Sequence, residues 1–278
     1  MPKTSVIVPC FNQAQYLDEC LESVLNQSFQ EWECIIINDG STDNTIEVAS
    51  TWEKEDSRFK LITIENAGVS NARNIGIKNS NSKFIMPLDA DDRLAPLYLE
   101  KAFEEINLNK YSVVYCNAQY FGKKTGLMPV SFKSLKNLLL KNEIFVSALF
   151  KKRDFFSIGG FDENMDKGYE DWEFWINLLS KKNGGVIQLD YIGFFYRIKK
   201  NSRNQNVMKD KIIKTEMTNY IYKKHSNCYQ HYHGNPIDNI KKLNDFKDLQ
   251  KVSSLYSFND LIIVLLSKFK KKLKFSKI

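Results

Sequence analysis

Short apolar runs alternate with longer segments of helical spacing over the first ninety residues. The runs SVIVP, ECIIIND, FKLITIE and KFIMPLD occupy residues 5–9, 33–39, 59–65 and 83–89. Apolar residues recur at helical spacing over 17–25 and again in VSNARNIGIKNS at 69–80, and Thr42 is expected to cap a helix that carries Ile46, Val48, Ala49 and Trp52. Continuous apolar strands separated by helices predict an α/β fold whose parallel sheet is covered on both faces.

Each of the four predicted strands ends in a polar loop. These loops read PCFN, NDGSTD, ENAG and LDADD. Ligands of open parallel sheets bind in the crevice beyond the carboxyl ends of the strands. Polar residues also terminate strands for purely local reasons, but four such loops at successive ends favour a shared site. The residues expected to face one crevice are Asn12, Asp39, Asn66, Asp89, Asp91 and Asp92.

The acidic loop LDADD gathers three carboxylates within four positions. Like charges this close repel one another and raise each other's pKa, so a cation among them is favourable. Oxygen ligands select Mg²⁺ or Mn²⁺, and Mg²⁺ is often held by one or two carboxylates together with substrate phosphates. The alternative is a solvated turn in which Asp91 or Asp92 caps a helix that begins near Pro96.

Composition narrows the classes of function. The 278 residues carry a formal charge of +7 and five cysteines without a CxxC pair, so neither a disulfide framework nor a zinc knuckle is indicated. Neither GxGxxG nor GxxxxGK[ST] occurs, which disfavours dinucleotide-binding and P-loop folds. The N-terminus lacks an apolar leader and the block LIIVLL is too short to span a bilayer, so we expect a cytoplasmic protein.

Four motifs in order resemble those of the family-two glycosyltransferases with a GT-A fold. They are VPCFN with the following NDGSTDNT, NAGVSNARNIG, FIMPLDADDRLAP and GGFDENMDKGYEDWEFW. The resemblance covers about residues 3–200. It implies a Rossmann-like, mostly parallel sheet over residues 1–203, with a nucleotide-binding part at about 1–93 and an acceptor-binding part at about 94–203. It also implies a nucleotide-diphosphate sugar donor, a divalent metal and inversion at the anomeric carbon.

The resemblance also assigns roles to residues of the first three motifs. Pro9 and Asn12 match the first nucleotide-contacting turn, with Phe11 where tyrosine is usual, and Asp39 matches the carboxylate that contacts base or ribose. The segment that closes over the nucleotide is matched by Asn66, Gly68 and Arg73, and Arg73 would add positive charge near the leaving group. Asp91 is then the metal ligand, Asp89 holds the ribose or the metal, and Asp92 is a helper.

The motif YEDWEFW places Glu170 and Asp171 before an apolar series that suits an amphipathic helix. Acidic residues in a first helical turn are favoured by the helix dipole alone. The resemblance implies instead that Asp171 is the general base and that Glu170 orients the acceptor or the base. The later segment YRIKK has Lys199 where many family members have a histidine, so Arg197 or Lys199 is expected to contact the diphosphate, with a basic surface loop as the alternative.

Residues 204–278 are predicted to form a helical extension with a basic amphipathic tail. Val207, Ile212, Ile213, Met217 and Tyr220 indicate a helix that packs back on the domain, and HSNCYQHYHG is predicted to be a polar loop. Six lysines from Lys268 onward follow the apolar series Phe258, Leu261, Ile262, Leu265, Leu266 and Phe269. This pattern favours peripheral contact with an anionic membrane; a core-packing helix or a protomer contact are alternatives, and nucleic acid is disfavoured.

These observations predict a metal-dependent inverting glycosyltransferase. The donor is expected to be a UDP-sugar, and the acceptor a hydroxyl of a glycan or lipid-linked glycan in surface polysaccharide biosynthesis. A nucleotidyltransferase would use a similar acidic site, but the ED motif does not support it. A non-catalytic nucleotide-sugar binding protein is the alternative outside enzymes, and the intact Asp91 and Asp171 argue against it.

Overall fold

A computed structural model describes residues 1–181, 184–199 and 210–255. Met1–His225 form one compact unit, and the described residues from Ser226 onward belong to a second. The predicted boundary at residue 203 falls among residues outside the described ranges. The same is true of Val207 and of the basic tail from residue 256, so the predicted membrane contact concerns residues that are not described.

The first half of the large unit alternates strands and helices as predicted. Its strands pair in the order β3-β2-β1-β4, all parallel, and every residue of β1 and β2 is buried. Strands buried on both faces explain the unbroken apolar runs of the sequence. The elements are β1 (Thr4–Cys10), α1 (Ala14–Leu25), β2 (Trp32–Asp39), α2 (Thr45–Glu55), β3 (Phe59–Ile64), α3 (Val69–Asn79) and β4 (Phe84–Pro87).

The second half extends the sheet with mixed pairing. From β4 the order continues β8-β6-β9-β5; only β6 and β9 are parallel, and β7 pairs with β6. The elements are β5 (Arg93–Leu94), α4 (Tyr98–Asn107), β6 (Tyr111–Gly122), β7 (Gly126–Leu127), α5 (Leu135–Leu138), β8 (Leu149–Lys151), α6 (Lys152–Ile158), α7 (Glu170–Lys181) and β9 (Gly185–Ile198).

Helix α7 is more deeply buried than an amphipathic pattern predicts. Every residue from Trp172 to Leu179 is buried, including the carboxylate residue Glu173. Phe174 stacks on Phe161 with ring centroids 4.1 Å apart and contacts Phe150. The helix is therefore enclosed on nearly all sides, and its N-terminus, which carries Glu170, is fixed by the packing of the turns that follow.

One predicted helix cap is wrong, and so is the alternative in which Asp91 or Asp92 caps a helix. Helix α2 begins at Thr45. Its first residue donates hydrogen bonds to Asp43, and not to Thr42, from the Thr45 backbone N–H (3.1 Å) and hydroxyl (2.5 Å). The Thr42 N–H donates to Asn12 Oδ1 instead (2.8 Å). Helix α4 begins after Leu97, without a side-chain cap, so neither Asp91 nor Asp92 caps it.

The C-terminal helices are α8 (Lys211–Lys224) in the large unit, and α9 (Ser226–His233) and α10 (Pro236–Leu255) in the second. Helix α8 packs back on the domain as predicted, with Met217 and Ile221 buried. The polar loop predicted for HSNCYQHYHG is wrong, because most of it is helix α9. Among the helices of the described ranges, none is long and apolar enough to cross a bilayer.

Candidate active site

A cleft of about 460 Å³ lies beyond the carboxyl ends of the parallel strands. Its walls come from the ends of β1, β2 and β4, from the loop before α3, from the start of α7 and from the end of β9. This is the location where open α/β sheets bind ligands, and the volume suits a small molecule. The predicted residues among its lining are Pro9, Asp39, Asn66, Gly68, Arg73, Asp89, Asp91, Glu170, Arg197 and Lys199.

Asp39 shapes the wall next to α3. Its carboxylate accepts hydrogen bonds from the backbone N–H groups of Ala67 (2.8 Å) and Gly68 (3.0 Å), and the Asn66 amide donates to its backbone oxygen (2.8 Å). Gly68 has φ +89° and ψ 162°, a conformation that is nearly restricted to glycine. The side chain of Asp39 thus holds the loop of residues 66–68, which we call the NAG loop after its sequence, in a conformation that any residue with a Cβ at position 68 would disfavour.

Arg73 bridges two carboxylates that are far apart in sequence. From α3 it donates one NH2 group to Asp89 Oδ1 (2.6 Å) and the other to Glu170 Oε1 (3.0 Å). Only 2% of its side chain is exposed, and the two carboxylates together raise its pKa despite the opposing effect of burial. The acidic loop after β4 and the start of α7 are therefore held together by one buried guanidinium.

Asp91 is paired with a lysine from the end of β9. Lys199 Nζ lies 2.5 Å from Asp91 Oδ2 and donates to Gln13 Oε1 (3.1 Å). Burial raises the pKa of Asp91, and repulsion by Asp89 adds to this, while Lys199 opposes it. The acidic loop thus meets a cation in the structure, as its charge density requires.

Asp92 lies beneath the cleft and does not line it. It is 2% exposed, and it accepts a hydrogen bond from the Arg197 backbone N–H (2.8 Å). The Arg197 Nε–H donates to the Asp91 backbone oxygen (2.7 Å), and its guanidinium pairs with Glu19 and lies over the Tyr16 ring. Burial, then Asp91 and Asp89, raise the pKa of Asp92 well above its usual range. Asp92 therefore joins the acidic loop to β9 as a structural group.

Asp171 lies next to Glu170 but outside the lining of the cleft. Its Oδ2 accepts a hydrogen bond from the Asn142 amide (2.9 Å), and its Oδ1 accepts one from the Trp172 N–H (2.7 Å). Burial and the neighbouring Glu170 raise its pKa to about 7, against the attraction of Arg73. Tyr169, two residues before Asp171, has φ +64°, which is rare for a bulky residue. Strained backbone and a carboxyl with pKa near neutrality are typical of functional sites.

Asn12 is the other predicted residue that the cleft does not include. Its side chain accepts from Thr42 and its N–H donates to the Ser41 hydroxyl (3.0 Å), so it joins the loops after β1 and β2. Sequence reasoning missed Gln13, Glu19 and Asn142. Gln13 follows a predicted strand end and was open to discovery, whereas Glu19 on α1 and Asn142 in an irregular segment carry no local signal.

Over the described residues, no group of three or more histidine, cysteine or acidic side chains is arranged to hold a metal. Asp89 and Asp91 both line the cleft and offer carboxylate oxygens, the donor type that suits Mg²⁺ or Mn²⁺.

Comparison with protein families agrees with the geometry of the cleft. The model of glycosyl transferase family 2 matches residues 5–161. The chain belongs to this family. An uncharacterized glycosyltransferase of Haemophilus influenzae is 31% identical over 217 residues, which are 76% of this chain and 86% of that protein. Glycosyltransferase GlyA of Streptococcus pneumoniae is 31% identical over 224 residues, 72% of this chain.

Some relatives are considerably longer. The chain covers 31% of GlyA and 34% of the uncharacterized glycosyltransferase EpsJ of Bacillus subtilis, to which it is 35% identical over 116 residues. Among solved structures, Staphylococcus aureus TarS residues 1–349, crystallised with UDP-GlcNAc, has a TM-score of 0.64 and 22% identity. That match covers 73% of this chain and 60% of TarS 1–349. It confirms the GT-A fold.

Proposed function

We propose that the chain is a glycosyltransferase that transfers a sugar, with inversion, from a nucleotide-diphosphate sugar to a hydroxyl of a glycan or lipid-linked glycan. The observation that carries the proposal is the Arg73 bridge. It brings the acidic loop with Asp89 and Asp91 and the α7 terminus with Glu170 to one cleft, and Asp171 lies next to Glu170 just outside the lining. Such an arrangement suits sugar transfer, because the leaving diphosphate needs positive charge on one side of the sugar and the attacking hydroxyl needs a base on the other.

The donor fits the wall formed by β1, β2 and the NAG loop. Pro9, Asp39, Asn66 and Gly68 line this part of the cleft, and Asn12 supports it from the adjoining loop. UDP is the preferred nucleotide, because TarS, a protein of the same fold, was crystallised with UDP and with UDP-GlcNAc. Arg197 and Lys199 line the side of the cleft next to the acidic loop and offer positive charge to a diphosphate.

Asp91 and Asp89 would hold Mn²⁺ or Mg²⁺, with substrate phosphates completing the shell. When bound, the ion would stabilise negative charge on the leaving diphosphate as a Lewis acid. Lys199 already neutralises Asp91, so it must give up or share that carboxylate when the ion binds. Arg73 has both NH2 groups engaged by carboxylates, which favours a positioning role for it over direct contact with phosphate.

Asp171 is the group proposed to accept the proton of the attacking hydroxyl. A sugar hydroxyl is a weak nucleophile, and a carboxylate within hydrogen-bond reach removes its proton as the new C–O bond forms. A base with pKa about 7 is matched to neutral pH. The Asn142 amide holds Oδ2 of Asp171, and Glu170 is held by Arg73, so the two carboxylates have separate partners.

The acceptor class is inferred from the family resemblance and from the basic tail after residue 256, and a cytoplasmic protein that contacts the inner face of the membrane would meet lipid-linked glycans.

Donor binding is the direct test. We would titrate UDP-, GDP-, CMP- and dTDP-sugars by calorimetry with and without Mn²⁺, in the wild-type chain and in Asp91→Asn. Binding of one nucleotide class that weakens at least tenfold without metal or without the Asp91 carboxylate is expected. If no nucleotide sugar binds under any metal condition, the proposed donor site is wrong. Lys54→Met, an exposed change on α2, is the matched control.

A further inference from the structure

A second cleft lies at the start of β4, whereas the cleft proposed above to bind the donor, called the donor cleft from here on, lies beyond the end of this strand. Its volume is about 560 Å³ and it shares no lining residue with the donor cleft. Strand β4 has four residues, so roughly 13 Å of extended chain separates the two clefts. Four cations line it, Lys83, Lys151, Lys152 and Arg153, and we call it the basic cleft. Its described lining includes no carboxylate.

Lys151 is the most unusual member of the basic cleft. It is the last residue of β8 and only 7% exposed, and burial, followed by repulsion from Arg153, lowers its pKa. Among residues 1–181, 184–199 and 210–255, no carboxylate forms an ion pair with it at 4.0 Å or less. Partial burial and Arg153 disfavour the charged form of Lys151 and Asp154 favours it, so an anion that binds here adds to the stabilisation of that charge.

The strand pairing brings further positive charge to the same place. Phe84 on β4 is opposite Lys151 on β8, and the Lys152 N–H donates to the Lys83 backbone oxygen (2.8 Å). The Lys152 ammonium donates to the Ser80 backbone oxygen (2.6 Å), which is a neutral acceptor and leaves the charge in place. Lys83 and Lys152 are therefore neighbours at the ends of these elements, and an anion near both ammonium groups would reduce their mutual repulsion.

A buried hydroxyl adds a hydrogen-bond donor. Ser82 is 4% exposed, lines the basic cleft, and its Oγ has no hydrogen-bond partner among the described residues. Buried polar groups are nearly always satisfied, so an unpartnered hydroxyl beside four cations indicates an acceptor that is supplied by a ligand. Phe156, 53% exposed, adds an apolar wall.

The nearest acidic residues, Asp154 and Glu33, offset part of the positive charge of the basic cleft, since they attract Lys151 and Lys152. Asp154 is 5% exposed, and its carboxylate lies 3.8 Å from Arg153 Nε, a long contact that leaves the guanidinium three-quarters exposed. Glu33, which attracts Lys152 from a distance, is already paired with Lys60 (2.7 Å) and accepts from the Ser5 hydroxyl (2.7 Å).

We propose that the basic cleft binds a phosphate-bearing anion, held by the ammonium groups of Lys83 and Lys151 and by the Ser82 hydroxyl. Phosphate oxygens accept hydrogen bonds from ammonium and hydroxyl donors, and a phosphate ester with an apolar substituent would also contact Phe156. The same chemistry is offered by a phospholipid headgroup and by a soluble phosphate compound. The binding does not depend on the proposed donor or on catalysis.

The test uses labelling of individual lysines by an amine-reactive ester, quantified by mass spectrometry of the full chain. Sodium pyrophosphate is expected to protect Lys83, Lys151 and Lys152, which all line the basic cleft, at least threefold and to leave Lys54 unchanged. Labelling of Lys199 reports separately on pyrophosphate in the donor cleft. If Lys83 and Lys151 label equally with and without pyrophosphate and with anionic vesicles, the proposal is overturned.

Variants then identify the source of the phosphate. Lys83→Met with Lys151→Met should lose pyrophosphate protection at Lys152, and Lys83→Met alone should weaken it if the double variant fails to fold. A lipid headgroup is indicated if the wild-type chain co-sediments with phosphatidylglycerol vesicles but not with phosphatidylcholine vesicles, and if the double variant co-sediments with neither. Pyrophosphate protection without such co-sedimentation indicates a soluble phosphate compound. Protection of Lys152 that survives in the double variant would contradict the proposal.

Discussion

Replacement of Arg73 should reveal how strongly one guanidinium holds the two acidic parts of the active site together. In Arg73→Met, Asp89 and Glu170 lose their shared partner, and Glu170 is left with only 12% of its side chain exposed. Removing one member of a buried ion pair costs about 3–5 kcal/mol because the remaining charge stays buried. We expect a loss of about 3 kcal/mol here, since Asp89 is one-third exposed and can be rehydrated.

Urea denaturation followed by tryptophan fluorescence measures this loss, and Lys54→Met should change stability by less than about 0.5 kcal/mol. If the loss arises because Glu170 keeps its charge without Arg73, then Glu170→Gln in the Arg73→Met background restores part of the free energy of unfolding, with a coupling energy of about 1–3 kcal/mol. A loss below about 1 kcal/mol, or strictly additive effects, would show that the bridge does not hold the site together.

Three further predictions concern neighbouring groups. Because the Asp171 pKa is about 7, turnover should fall roughly 30-fold from pH 8 to pH 5.5, which a pH–rate series in wild type and Asp171→Asn checks. The stability that this raised pKa contributes is present below about pH 4 and lost as pH rises through 7, and urea denaturation of both proteins over this pH range checks it. Lys224→Met removes an ion pair from the fully buried Glu173 (2.9 Å) and should cost about 3 kcal/mol in urea denaturation, partly recovered by Glu173→Gln. A Cβ at position 68 would have no atom within 4 Å, so Gly68→Ala should lower the free energy of unfolding by about 1–3 kcal/mol through backbone strain alone. A lower urea midpoint would show this loss.

The parallel half of the fold follows from local pattern, whereas the mixed half does not. Buried strands such as β1 and β2 appear as unbroken apolar runs because helices cover both faces. Helix α7 was predicted to be amphipathic, but its polar residue Glu173 is buried too, since Lys224 at the end of α8 and the following His225 pair with it. Such long-range compensation leaves no periodic signal near residue 173.

The site was predictable where strand ends converge, and less so where side chains meet across the fold. Asp39, Asp89 and Asp91 follow strands, so topology alone brings them to one cleft. Asp92 follows the same strand but is directed to β9, where the Arg197 backbone binds it. Asn142 reaches Asp171 from an irregular segment, and only the three-dimensional structure brings the two together.

In the proposed mechanism, Asp171 removes a proton during sugar transfer from a donor bound in the cleft. Slow hydrolysis of the donor selected by calorimetry, with water as acceptor, can be followed by proton NMR of the released sugar without knowledge of the natural acceptor. We predict release of the inverted anomer, a loss of at least 100-fold in Asp171→Asn, and unchanged donor affinity in that variant. Retention of the anomeric configuration, or wild-type hydrolysis by Asp171→Asn, would contradict the account.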